Sequence, residues 1–212
     1  MKDRNTRADG AVIAAATGIA LVLMLHHPTG FTPGGDDGHL LSDWSTGLVH
    51  GGMIGCLLVL YIGLDGVRRR LGETKLTTRA GALLIGAGFL AFASAAVASG
   101  LAGPRVAVLT DPAVREAGLR TLWALNQSLT GLGTLLTALG AAVWAPGLWR
   151  LGTAGRIAAG LGVALLALSV WHGATDGGFG LHVAVAAMAA FALWSLAVAA
   201  AMIRARPEGE TA

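Results

Sequence analysis

Charged residues are scarce in this sequence: only 13% of its 212 residues are Asp, Glu, Lys or Arg, whereas 54% are hydrophobic. Soluble domains carry about 25% charged residues. Such a chain has too few charges to cover the surface of a water-soluble fold, which argues against a soluble enzyme. A single cysteine, Cys56, excludes an intrachain disulfide and any site built from several thiolates. No phosphate-binding glycine loop, dinucleotide fingerprint or HExxH zinc motif occurs.

What the sequence does contain is long apolar runs, six in all. Each is close to the roughly 20 residues that cross the hydrocarbon core of a bilayer as a helix. The runs are continuous and lack the alternation of a membrane β-barrel. We therefore predict an all-α integral membrane protein, a six-transmembrane-helix bundle that forms one domain over residues 1–212. The predicted spans are residues 11–27, 44–67, 80–101, 119–144, 157–173 and 181–203.

The cationic residues are distributed unevenly between the two ends of these spans. Of the 15 Lys and Arg residues, only Arg105, Arg115 and Arg120 fall on the side that faces away from both termini. The positive-inside rule then predicts that both termini are cytoplasmic (N-in/C-in) in a bacterial inner membrane. Because topology accounts for the cations, nucleic acid is not an expected partner. The expected partners are the lipid bilayer and either a membrane protein or a second copy of the chain, since Ala/Gly-rich faces suit helix docking.

Histidine is found only at the opposite, outer (periplasmic) side. Neutral imidazole is a common ligand of zinc, copper and iron. We therefore predict a transition-metal site (copper, zinc or iron) at the outer face, with a redox or metal-handling role. The predicted first ligands are His26, His50, His172 and His182. The predicted additional ligands are His27 and His39.

Carboxylates accompany the histidines at helical spacing. If the second helix begins near residue 38, His39, Asp43 and His50 share one stripe of that helix. Asp176 follows His172 by four residues, which pairs them if the fifth helix continues that far. Both carboxylates are predicted to act as ligands or as hydrogen-bond partners that orient an imidazole.

The fourth span places two amides, Asn126 and Gln127, below the outer surface. Polar side chains within a span usually face the bundle interior or a cavity. We predict that they line a pocket beneath the histidines, with hydrogen bonding between helices as the alternative. Nearer the start of this span, Asp111-Pro112 indicates a turn. The stretch Ala113–Arg120 is predicted to lie on the outer surface as a short amphipathic segment.

A b-type cytochrome with one haem near the outer face is the first alternative function. Glycines surround His50 and would leave room for a porphyrin, with His172 or His182 as the second axial ligand. The same glycines have a second interpretation, because Gly47, Gly51 and Gly55 form small-xxx-small steps that pack helices without a cofactor.

Two further alternatives stay open at this stage. A zinc-dependent membrane hydrolase needs serine near histidine and aspartate, and Ser42, Ser45 and Ser169 are available, although no ordered pattern joins them. A non-catalytic partner subunit needs no site at all. A transporter is disfavoured because the middles of the spans carry almost no ionisable residue.

Overall fold

The computed structural model describes residues 2–27, 45–175 and 181–204. In these residues the chain is helical without strands, and six helical segments are long and apolar enough to cross a membrane. The predicted all-α, six-helix architecture is therefore confirmed, whereas the N-in/C-in orientation stays a prediction. The α-helices are α1 (Lys2–Leu25), α2 (Thr46–Gly72), α3 (Leu76–Ala96), α4 (Gly103–Ala107), α5 (Pro112–Leu148), α6 (Gly152–Ala174) and α7 (Leu181–Arg204).

The third span is not a uniform α-helix. A π-helical segment, Val97–Ala102, joins α3 to the single turn of α4, so that Leu76–Ala107 forms one continuous span. Segments of this kind are rare and occur often at functional sites. Gly100 lies inside this segment.

Helix α5 begins earlier than expected. Asp111 caps its N-terminus, since its side chain accepts hydrogen bonds from the backbone N–H groups of Ala113 (2.8 Å) and Val114 (3.2 Å), and Pro112 occupies the first helical turn. The predicted surface segment Ala113–Arg120 is thus wrong, because it continues as the first turns of α5. At 37 residues, α5 is about 55 Å long and extends beyond a hydrocarbon layer of about 30 Å.

The six spans form a closed ring in which each packs against its neighbours in the chain, and α7 returns to α1. His27 meets His50 where α1 ends and α2 begins, and Trp144 meets Thr78 where α5 ends and α3 begins. Neighbouring spans therefore run antiparallel, and the ring has two distinct ends. The histidine end carries His26, His27, His50 and His172. The arginine end carries Arg68, Arg69, Arg79, Arg150, Arg156 and Arg204.

Apolar side chains fill the centre of the ring. Ile13, Leu64, Ile85 and Trp194 belong to one buried cluster to which every spanning helix contributes. Trp144 is 2% exposed, and its indole Nε1 donates a 2.9 Å hydrogen bond to a backbone carbonyl of α3. Lipid chains are as apolar as these side chains, so the cluster stabilises the bundle through close packing rather than through removal from water.

The contact between α3 and α5 is built on reciprocal glycines. A Cβ atom added at Gly88 would lie 2.8 Å from the carbonyl oxygen of Gly133, and one added at Gly133 would lie 3.0 Å from that of Gly88. The pair Gly81 and Gly140 repeats this relation at 3.1 and 2.8 Å. At both levels the two backbones approach more closely than any residue with a Cβ atom permits.

Charged groups at the arginine end are paired where α1 meets α2. Asp65 forms ion pairs with Arg68, at 2.6 Å, and with Arg69. Arg69 also lies 3.5 Å from Asp9 of α1, whose side chain packs against Gly66. This network lets an acidic side chain enter the α1–α2 contact near the end of the bundle.

We predict that Gly140→Ala destabilises the bundle by about 1–3 kcal/mol, because the added methyl group is forced against the backbone of α3. The matched control is Gly18→Ala, since a Cβ atom at Gly18 meets nothing within 4 Å. It should be neutral or stabilising by up to about 1 kcal/mol, because alanine is the better helix former. The measurement is the free energy of unfolding in detergent micelles. Equal stabilities of the two variants would contradict the close α3–α5 contact.

Candidate histidine site

Two histidines from different helices meet at the histidine end. The Nε2 atoms of His27 and His50 lie 3.2 Å apart, and the two rings pack edge to face with their centroids 4.7 Å apart. His27 follows the end of α1, where its backbone N–H bonds to the carbonyl of Met24 at 3.2 Å. This closing turn aims the His27 side chain at α2.

His50 is held in one orientation by its own helix. Its Nδ1 lies 2.8 Å from the carbonyl oxygen of Thr46, one turn earlier in α2. A carbonyl only accepts, so Nδ1 carries the proton and Nε2 presents a lone pair. The His50 residue is only 5% exposed, so this lone pair lies within the protein. It faces Nε2 of His27, so that a hydrogen bond between the two rings requires His27 to be the donor.

The π-helical segment supplies the third side of the site. Ser99 Oγ lies 3.2 Å from His50 Nε2 and donates to the carbonyl of Ala95 at 2.9 Å. Asn126 Oδ1 of α5 lies 3.5 Å from the same hydroxyl. Gly100 packs directly under His50, so that a Cβ atom at Gly100 would collide with Cβ and Cγ of the histidine. The contacts His27–His50–Ser99–Asn126 therefore connect α1, α2, the π segment and α5.

Asn126 is the one further predicted site residue that these contacts include among those given above. His172 lies in the last turn of α6, with its Nε2 atom buried, and His26 and Gln127 are partly buried. Among the residues that the structure describes, no three His, Cys, Asp or Glu side chains are grouped so that they could hold a metal ion. Three of the predicted site residues lie outside the part of the chain that the structure describes: His39, Asp43 and Asp176. His182 lies in the first turn of α7, and its side chain also falls outside that part.

Two helices are shorter than the predicted pairing of histidines with Asp43 and Asp176 assumed. Ser45 has ψ 134° and caps α2 through a 3.3 Å hydrogen bond from the Leu48 N–H to its hydroxyl. The helix therefore begins at Thr46 and not near residue 38, so the condition for a single stripe through residues 39, 43 and 50 is not met. His39 and Asp43 themselves lie outside the described residues. Likewise α6 ends at Ala174, with Thr175 as its C-cap. The condition for pairing His172 with Asp176, a fifth helix that continues to residue 176, is therefore not met. Asp176 itself lies outside the described residues.

The glycines around His50 do not pack helices as the small-xxx-small interpretation predicted, whereas the haem interpretation stays a prediction. A Cβ atom at Gly47, Gly51 or Gly55 would meet nothing within 4 Å, so these residues pack against no described helix. They also leave the imidazole enclosed, since Gly100 covers one side of it and Nε2 already contacts two side chains. This enclosure favours a small ligand over a porphyrin.

Sequence reasoning missed Ser99 and ranked His27 below His26. No histidine or carboxylate stands near Ser99 in the sequence of its own span to mark it as functional. The only local signal is the run Ala98–Pro104, in which two glycines and a proline interrupt an otherwise regular span.

Comparison with known proteins adds no function to this geometry. No protein-family model matches the chain, and no curated protein or solved structure is significantly similar to it. The chemistry of the site therefore has to be inferred from its own residues.

We predict that Gly100→Ala destabilises the protein by about 1–3 kcal/mol through overpacking against His50. In the His50→Ala background the same substitution should cost at least about 0.5 kcal/mol less, because residues in contact are energetically coupled. A double-mutant cycle of unfolding free energies measures this coupling. Gly55→Ala, at a glycine with open space, serves as the control and should combine additively with His50→Ala. Additivity at Gly100 as well would show that the π segment does not support the imidazole.

Proposed function

We propose that this chain is a multi-pass membrane protein that binds a transition metal ion at its histidine end, with Nε2 of His27 and of His50 as two of the ligands. The observation that carries the proposal is the 3.2 Å separation of these two atoms. Zinc–imidazole bonds of about 2.0–2.1 Å at a tetrahedral angle hold two nitrogens about 3.3–3.4 Å apart. The pair is therefore close to the spacing at which both rings bind one ion.

The orientation of His50 supports the same proposal. Metal-binding histidines usually donate the other ring N–H to a carbonyl or carboxylate, which fixes the tautomer and the direction of the lone pair. His50 does so through Nδ1 to the Thr46 carbonyl at 2.8 Å.

The remaining ligands come, in this proposal, from donors that the sequence concentrates at the same end. A structural zinc site takes four protein ligands, and a catalytic site keeps one position for water or substrate. The available donors are His26, His39, Asp43, His172, Asp176 and His182. Cys56 lies six residues beyond His50 in α2, which is about 9 Å deeper. A donor set of imidazoles and carboxylates suits Zn(II), Cu(II) or iron better than Cu(I).

The proposed role is metal handling or electron transfer at the periplasmic face of a bacterial inner membrane. This side follows from the positive-inside rule applied to the arginine end. Zinc would restrict the protein to handling or hydrolysis because it has no redox chemistry. Copper or iron would allow electron transfer as well.

We predict that the purified full-length chain binds close to one equivalent of Zn(II) or Cu(II). His27→Ala and His50→Ala should each lower the affinity by about tenfold or more, by analogy with losses at supporting residues of metal sites. Ser99→Ala is the matched control, because it removes a neighbouring hydroxyl and leaves both imidazoles in place. The measurements are elemental analysis and, for Cu(II), electron paramagnetic resonance, in which nitrogen hyperfine structure reports bound imidazoles.

An optical spectrum of the same sample distinguishes the alternatives. A Soret band that is lost with His50→Ala would replace this proposal with a b-type cytochrome. Metal retained in full by the double variant His27→Ala/His50→Ala would place any site elsewhere. If the purified sample contained neither metal nor haem, the non-catalytic partner subunit would be the remaining interpretation.

A zinc-dependent membrane hydrolase is the second candidate, and one contact favours it. Ser99 Oγ lies 3.2 Å from His50 Nε2, so a hydroxyl would stand beside an ion bound at that nitrogen. A zinc ion bound at such a site supplies an activated water. In this candidate the Ser99 hydroxyl positions the water or the substrate by hydrogen bonding.

We expect a zinc-loaded hydrolase of this kind to cleave fluorogenic lipid esters or amides. Ser99→Ala would lower kcat/KM by roughly tenfold or more if the hydroxyl contacts the reacting groups. Ser128→Ala, which removes an exposed hydroxyl that donates to the Ala124 carbonyl of its own helix, should have no effect. Turnover no higher than that of the His27→Ala/His50→Ala variant would exclude the hydrolase.

A further inference from the structure

An apolar groove runs along the outer surface of the bundle between α5 and α6, near the arginine end. It is lined by Ala145, Pro146, Trp149, Ala159, Gly160 and Val163. Several of these residues are exposed, so the groove opens away from the buried centre of the ring. If the six helices span a bilayer, it faces lipid.

The groove exists because small side chains line it. Alanines on both helices and Gly160 leave a depression where larger residues would meet. A Cβ atom at Gly160 would encounter nothing within 4 Å, so the space above this glycine is open. A larger side chain can therefore fill the groove from this position without disturbing the core.

A cation stands at the mouth of the groove. Arg156 precedes Ala159, Gly160 and Val163 by three, four and seven residues, which places all four on one face of α6. Its guanidinium carbon lies 5.9 Å from the centre of the Trp149 ring. The groove thus has a cationic end and continues for about 10 Å along α6 towards the middle of the layer.

Among the described residues, no carboxylate pairs with this cation. Residues 117–175, which include most of α5 and all of α6, contain no Asp or Glu. In the described part of the chain, neither Arg156 nor the exposed Arg150, which follows Trp149 in the sequence, forms an ion pair. Both guanidinium groups are therefore available to an anion.

We infer that this groove binds an anionic phospholipid, with its phosphate at Arg156 and Arg150 and one acyl chain lying along Ala159–Val163. Guanidinium groups bind phosphate through paired hydrogen bonds. Tryptophan favours the headgroup level, which is where the proposal places Trp149. Basic pockets between transmembrane helices recognise anionic headgroups. This site is independent of the histidine site at the opposite end.

The test uses the full-length protein in vesicles that contain brominated phosphatidylglycerol or brominated phosphatidylcholine. Bromine quenches nearby indoles, and the difference between the wild type and Trp149→Phe isolates the signal of Trp149. The expected result is a preference of roughly fivefold to thirtyfold for the anionic lipid, the effect of one or two arginines near phosphate.

Two variants and two controls locate the binding. Arg156→Gln should reduce the preference by about fivefold, and Gly160→Leu should lower the quenching by both lipids because leucine occupies the groove. Arg79→Gln removes an exposed cation from the same end, and Gly18→Leu enlarges an open glycine on α1; neither should change the signal. Equal quenching by the two lipids would overturn the proposal. So would a preference that is unchanged in Arg156→Gln, or quenching that is unchanged in Gly160→Leu.

Discussion

Close approach of helix backbones is the contact on which this bundle depends. Helices in lipid gain nothing from burying apolar side chains against one another, because the lipid chains are equally apolar. Packing and weak contacts between backbones have to hold the spans together instead. Gly88 and Gly133 provide this where α3 meets α5, with each Cβ position 2.8–3.0 Å from the carbonyl of the other. A glycine also makes room at the arginine end, where the side chain of Asp9 packs against Gly66.

The histidine site relies on the same kind of contact. Gly100 brings the π segment against the ring of His50, and this approach also places Ser99 within 3.2 Å of Nε2. The capped start of α2 and the Thr46 carbonyl then orient the imidazole towards His27. The ring at the centre of the site therefore has fixed neighbours on three sides, a degree of order that suits a binding site better than a merely interfacial histidine.

The limits of sequence reasoning are clearest at His26 and His27. Successive residues of a helix differ by about 100° in direction, so the turn that ends α1 decides which of the two faces α2. That turn is closed by backbone bonds from residues 26 and 27, which no residue pattern predicted. The start of α2 shows what hydropathy can do, since Ser45 caps the helix next to residue 44, where the span was predicted to begin, and not near residue 38, the start that a stripe through residues 39, 43 and 50 requires. The π segment was unforeseen because its wider hydrogen bonding has no strict sequence signature.

The sequence alone determined the number and type of the spans and the separation of histidines from most cations along the chain. Both follow from length, hydropathy and charge, which are local properties that a single segment carries. Only the tertiary structure decided that His50 is joined to His27 and Ser99, residues 23 and 49 positions away. That choice depends on the rotation of each helix and on the distance between helices. Both are set by where glycines permit backbones to meet, as Gly100 does beneath His50.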